Sequence, residues 1–202
     1  MAGKVVILSA PSGSGKTTLA RHLLSVEKLN FKFSVSATTR KKRDHEINGK
    51  DYFFFSTEEF KNSIENQDFI EYEKVYENMY YGTLKSEVNN LIVNHNIVFD
   101  VDVLGALSLK KYFKSLAISI FIKPPSIDVL EKRLIDRKKN DPSEIKERIR
   151  KAEIEMKKEA DFDTVIINKD LDVAKQELID KVEKFLKWKL VYFLALLILF
   201  IL

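Results

Sequence analysis

A chain of 202 residues has room for one ordinary α/β domain with a small insertion. Its 45% hydrophobic and 32% charged residues exclude a disordered polyelectrolyte, and a net charge of +4, from 34 basic against 30 acidic residues, is too small for a general binder of polyanions. Small acidic ligands suit it better than nucleic acid, and the absence of cysteine excludes disulfides and thiolate metal sites, in agreement with a reducing compartment.

The chain opens MAGKVVILS, a short apolar run that leads straight into a glycine loop with no cleavage-site context. Residues 4–9 are therefore expected as a first strand rather than a signal peptide. Helical periodicity follows over 16–29. Residues 34–82, rich in aromatic and charged side chains, break the pattern and are expected to be an insertion beside the core. Helical spacing returns at 83–94, and the β-branched runs IVFDV (97–101) and LAISIFI (116–122) predict buried parallel strands. Residues 126–137 and 143–160 are helical and almost wholly charged, so 126–158 is expected as a second insertion. TVIIN (164–168) predicts a last strand and 171–187 a last helix. The alternation predicts a three-layer α/β core with a parallel sheet, drawn from 1–33, 83–125 and 159–189.

Behind Lys187, Trp188 and Lys189, residues 190–202 read LVYFLALLILFIL, thirteen apolar residues without interruption. As a helix this run is about 20 Å long, short of the ~30 Å of hydrocarbon that a spanning helix must cross. Two outcomes are open. It packs on its own domain, contacts another copy or is an aberrant chain end, or it dips into a membrane surface with Trp188 and the lysines at the interface.

The first motif with chemistry in it is APSGSGKT, Ala10, Pro11, Ser12, Gly13, Ser14, Gly15, Lys16 and Thr17, placed between the first strand and the first helix. Gly13 and Gly15 let successive backbone amides turn toward one anion, and the helix N-terminus adds partial positive charge. Lys16 can reach β and γ phosphates as a point charge, and the Thr17 hydroxyl can ligate a bridging magnesium. Ala10 stands where the general pattern has glycine. A second constellation, Ser34 to Phe54, gathers Ser36, Arg40, Arg43 and Tyr52, a set suited to a phosphate monoester, although a solvated basic hairpin would read the same way. Asp100 and Asp102 end the apolar run IVFDVD, where alternation puts both on one face at the ligand end of a parallel strand; either can serve magnesium or Lys16.

These residues carry a resemblance. The chain is similar to guanylate kinases over residues 4 to 187, through APSGSGKTTL, SVSATTR with Arg43 and GKDYFF, FIEY with Glu71, YYGT, FDVDVLGA, and KPPS with the later arginines. Family members commonly carry alanine at the Ala10 position. Lys42 replaces a proline of the family between two phosphate-binding arginines, and Lys138 with Lys139 replaces a pattern that usually has glycine after Arg137. The resemblance implies a phosphate-loop kinase fold with a GMP-binding insertion and a helical lid, a cytoplasmic location, and reversible phosphoryl transfer from ATP to GMP with Mg²⁺. It implies that Ala10 to Thr18 and Asn168 bind ATP, with Asn168 at the adenine end. Ser36, Arg40, Arg43, Tyr52 and Tyr81 would hold the GMP phosphate; Glu71, Thr83 and Asp102 would meet the base; Thr17 and Asp100 would serve the metal. Lys16 and the lid arginines Arg133, Arg137 and Arg148 would stabilise the transferring phosphoryl group, although each arginine also suits a solvated helix face. Glu71 would select guanine, whose N1 and N2 are donors facing an acceptor-only carboxylate. A kinase for another monophosphate, and a phosphopeptide-binding module without catalysis, are the alternatives.

Overall fold

The structure, a computed structural model, describes residues 3–76, 78–136 and 142–201, with side chains over 3–75, 78–136 and 145–187. In chain order the strands are β1 (Val5–Ser9), β2 (Phe31–Phe33), β3 (Ala37–Thr38), β4 (Phe53–Phe54), β5 (Phe69–Tyr76), β6 (Met79–Leu84), β7 (Asn96–Val101), β8 (Ala117–Lys123) and β9 (Thr164–Ile167). The helices are α1 (Lys16–Ser25), α2 (Thr57–Glu65), α3 (Lys85–Ile92), α4 (Val103–Phe113), α5 (Ile127–Asp136), α6 (Pro142–Met156) and α7 (Leu171–Ile201).

Five strands form one parallel sheet in the order β2-β7-β1-β8-β9. β1 is covered on both faces. Val6 and Leu8 pack with Leu19 and Leu23 of α1 and Leu178 and Val182 of α7, whereas Val5 and Ile7 pack with Val88 of α3 and Val103, Ala106 and Leu109 of α4. A strand buried on both sides shows no polar alternation, which is why VVIL, Val5 to Leu8, is a continuous apolar run. The expected three-layer core is therefore present. Two of its parts escaped the periodicity: β2, only three residues long, and α4, whose residues 103–107 hold no polar side chain, so that even the exposed Leu104 leaves its outer face unmarked.

A second, four-stranded sheet of order β4-β3-β6-β5 lies within residues 37–84. Its β5–β6 hairpin pairs Glu71 with Thr83 and Tyr72 with Gly82. α2 closes it, started by a capping box in which Ser56 and Glu59 exchange side-chain and backbone bonds at 2.6 and 3.1 Å. Phe60 of α2 is fully buried, stacked on Phe69 at 4.4 Å and on Tyr80 at 5.3 Å between ring centroids. α5 and α6 pack on each other through Leu130, Leu134 and Ala152, helped by Ile145 and Ile149. The last helix runs well past 187: α7 carries the backbone helix to Ile201. Among the described residues, no helix is long and apolar enough to cross a membrane.

Candidate active site

At the carboxyl ends of β1 and β7 the strand order turns, since the chain leaves β1 toward β2 on one side and later reaches β8 on the other. Ligand crevices form at such a point. Here the crevice is a cleft of about 820 Å³ that reaches from the glycine loop to the second sheet.

The loop after β1 curls through Gly13 and Gly15, with φ of 95° and 93°, values that side chains resist. A Cβ on Gly13 would stand 3.1 Å from both Leu130 and Leu134, so α5 rests directly on the loop. Lys16 opens α1 and lies 2.9 Å from Asp100 Oδ1, also donating to the Val101 carbonyl. Thr17 Oγ1 donates to Asp100 Oδ2 at 2.7 Å. A hydroxyl and a carboxylate at this distance are the hard oxygen donors that suit Mg²⁺. Asp100 is thus the acid at the loop, and Asp102 is not its twin on the strand: Asp102 lies past the end of β7 and caps α4, accepting from Gly105 N at 2.8 Å. The expected shared face ends because the strand does.

At the other end of the cleft Glu71 accepts from the Thr83 hydroxyl, and Thr83 itself is buried behind it. Burial pushes the Glu71 carboxyl up to about 7; the Thr83 bond pulls the other way and the charge of Asp102 adds to the rise. A Cβ on Gly105 would come within 3.0 Å of Glu71 and 3.2 Å of Asp102, so the bare backbone of α4 makes room for both carboxylates.

Between the two ends lie Ser36, Tyr52 and Tyr81, with the two rings edge to face at 6.0 Å. Burial raises the Tyr52 phenol above its ordinary value, keeping it a neutral donor. Arg40 stacks over Tyr52 and Phe54 at 5.2 and 5.7 Å and grips Glu46 with both arms of its guanidinium, at 2.6 and 3.1 Å. Glu46 is only 7% exposed and also accepts from the backbone N–H of Arg43 at 2.8 Å. The paired Arg40 holds its carboxyl down at about 2. The Arg43 side chain is exposed. Glu46 did not figure among the expected site residues; its signal was an acid three positions after Arg43, shared with Asp44, in an otherwise basic stretch.

α6 covers the cleft. Arg148 Nη1 reaches Ser12 Oγ at 3.4 Å, and Lys151 and Glu155, three and seven residues on, border the same space. That spacing marks one helix face. Burial pushes the Glu155 carboxyl up, against Lys151 and with a contribution from Asp102. Arg133 donates to the Asn168 carbonyl at 3.0 Å. Asn168, 3% exposed, turns its side-chain amide to the glycine loop. Arg137 lies outside the described residues, as do the side chains of 190–202.

A glycine loop with a lysine at one end of the cleft and a buried acid on an antiparallel hairpin at the other is more specific than a phosphate loop alone, a device that many functions share. A guanylate kinase family model matches residues 2–185. The chain belongs to the guanylate kinase family. Relatives bearing the name guanylate kinase include that of Bacteroides thetaiotaomicron, 49% identical over 187 residues, 92% of this chain and 91% of the relative. That of Porphyromonas gingivalis is 46% identical over 184 residues, 91% of this chain and 98% of the relative. The crystal structure of guanylate kinase from Anaplasma phagocytophilum superposes with a TM-score of 0.67 at 27% identity, covering 93% of this chain and 86% of that one. In this family the parallel-sheet core is a phosphate-loop kinase fold.

Proposed function

We propose that the chain transfers the γ-phosphoryl group of MgATP to GMP, giving ADP and GDP, and back. The observation that carries this is the cleft itself, with Lys16, Thr17 and Asp100 at one end and Glu71 backed by Thr83 at the other. An oxygen of the GMP phosphate attacks the γ phosphorus; the bond from that phosphorus to the β–γ bridging oxygen breaks, and its electron pair leaves with ADP.

The protein has no covalent step to perform, so its work is positioning and charge stabilisation. Ala10 to Thr18 hold the ATP phosphates with backbone amides, and Lys16 neutralises charge that grows on the leaving oxygen. Thr17 and Asp100 would hold Mg²⁺, which would supply neutralisation of the phosphate charge during transfer. Arg40, Arg43, Ser36, Tyr52 and Tyr81 hold the GMP phosphate in line. Glu71, with Thr83 and Asp102 behind it, takes the guanine N1 and N2 donors and rejects adenine, which lacks that pair. Residues 126–158 act as the lid, which on closing brings Arg133, Arg137 and Arg148 to the phosphoryl group and keeps water out.

An ADP-forming assay across GMP, AMP and UMP tests this. GMP is expected to outrun the others, and Glu71→Gln to erode that preference by about 10–100-fold, the loss of charge-assisted hydrogen bonds. A faster reaction with AMP, or an unchanged preference in Glu71→Gln, would overturn the assignment.

Residues 190–202 lie beyond the family match, and we propose that they lay the protein on a lipid surface as an extension of α7, the catalytic domain staying in the cytoplasm. A helix apolar on every side has no face for water. Lys184, Lys187, Trp188 and Lys189 precede it as an interfacial belt. Trp188 is the only tryptophan, so its emission reports directly on the tail. Vesicles containing anionic lipid should shift that emission to the blue in the full chain and leave it unchanged in Leu194→Glu/Leu197→Glu; no shift in the full chain removes the proposal.

A further inference from the structure

The Ser14 side chain is fully buried under the crest of the glycine loop, and the Ser14 carbonyl accepts from Asn168 Nδ2 at 2.7 Å. Asn168 is fixed in turn, since its own N–H donates to the Lys123 carbonyl at 2.8 Å and its carbonyl accepts from Arg133 at 3.0 Å. Contact with the loop is close: a Cβ on Gly15 would come within 2.3 Å of Nδ2. The amide oxygen of Asn168 has no hydrogen-bond partner among the described residues, and only the nitrogen can face a carbonyl, which settles which way the amide lies.

The carbonyl of Ser14 and the N–H of Gly15 belong to one planar trans peptide and point in opposite directions. A donor that holds the carbonyl from behind therefore sets the direction of the Gly15 N–H, and Gly15 borders the cleft. We infer that Asn168 is a positioning residue for the phosphate loop, holding the Ser14–Gly15 peptide so that the Gly15 N–H points at the ATP phosphates, rather than a contact for adenine. Its backbone carbonyl seats Arg133 of α5, so the same residue ties the loop to the helix that rests on it. Leucine would leave a buried carbonyl without a donor, and aspartate would set a negative charge against it.

This rests on reading Ala10 to Thr18 as the ATP phosphate site, but its test needs neither GMP nor phosphoryl transfer. The affinities of the full chain and of Asn168→Ala and Asn168→Asp are measured for MgATP and for magnesium tripolyphosphate, a ligand with phosphates and no base. Both ligands should weaken by the same factor, about 5–20-fold for one lost hydrogen bond and the misaimed amide it releases, while GMP affinity, measured well below the melting temperature of each variant, changes little. Asn168→Asp keeps the volume of asparagine and carries the test if Asn168→Ala folds poorly. Weakened MgATP with unchanged tripolyphosphate would make Asn168 an adenine contact and overturn the inference. A parallel loss of GMP affinity would also overturn it, as general damage to the fold. A wild-type chain that binds MgATP but not tripolyphosphate would sink the phosphate-site reading beneath it.

Discussion

The glycine loop and the second sheet border one cleft but are built in opposite ways. The loop offers backbone, and it is stiff because β1 beneath it is fully buried on both faces, with Leu130 and Leu134 above it and Asn168 behind. The second sheet offers side chains on a frame whose buried cluster is Ala37, Phe60 and Phe69, and its charged groups hold one another in place, Arg40 with Glu46 and Glu71 with Thr83. Backbone amides grip any phosphate, whereas a buried carboxylate distinguishes one base edge from another. On the proposed reading, general affinity falls to the rigid half of the cleft and specificity to the half with the smaller buried cluster.

The largest effect expected from breaking this division is on the rigid side. Lys16→Ala should lower kcat by about 10³-fold or more, roughly 4 kcal/mol, because the cation meets charge that develops only in the transition state. GMP affinity and circular dichroism should stay close to those of the unaltered chain. A kcat within tenfold of it would remove Lys16 from the chemistry.

Next in size, Phe60→Ala should cost about 3–4 kcal/mol, as large buried aromatics do. Its consequence is expected to be local: KM for GMP rises more than KM for ATP, and amides of Phe69–Leu84 exchange faster while those of Val5–Ser9 stay protected. Leu8→Ala, a core change in β1, should instead lower stability without favouring either nucleotide. Equal shifts of both KM values in Phe60→Ala would show that the two halves open as one unit.

The same contrast explains what could be read from sequence. Apart from the three-residue β2, strands of the five-stranded sheet stood out because burial on both faces leaves apolar runs such as VVIL in β1 and IVF in β7. β3 and β4, two residues each, are too short for any periodicity, and their place depends on partners such as Tyr81 and Gly82 far along the chain. Lys16 and Glu71 could be named because each sits inside a motif. Glu46, Lys151 and Glu155 could not, since an acid beside arginines or a charged helix face is usually solvated. For Asn168 the position was legible and the direction was not: only the bonds to Ser14, Lys123 and Arg133 show that its amide turns to the loop.

The smallest effect concerns pH, and it separates two acids of the second sheet. Glu71 is raised from its ordinary value near 4.5 to about 7 by burial, so without GMP its carboxyl is protonated below that pH. Guanine brings two donors and needs both oxygens to accept, so GMP binds the ionised form and its arrival expels a proton. Affinity should therefore be flat above about pH 7 and fall by up to tenfold per unit below it. The GMP phosphate itself titrates near 6, so the measurement that counts is the difference between the unaltered chain and Glu71→Gln in calorimetric titrations across this range. Glu46, held at about 2 by Arg40, stays ionised throughout, and Glu46→Gln should leave the inflection where it is. Stability runs the other way. A raised carboxyl contributes fully below 4.5 and loses that contribution as pH climbs to about 7, so acid does not weaken GMP binding by undoing the fold around Glu71. If the difference between the unaltered chain and Glu71→Gln shows no inflection near pH 7, or if the inflection moves in Glu46→Gln, the proton belongs to the phosphate or its clamp and base recognition does not turn on Glu71.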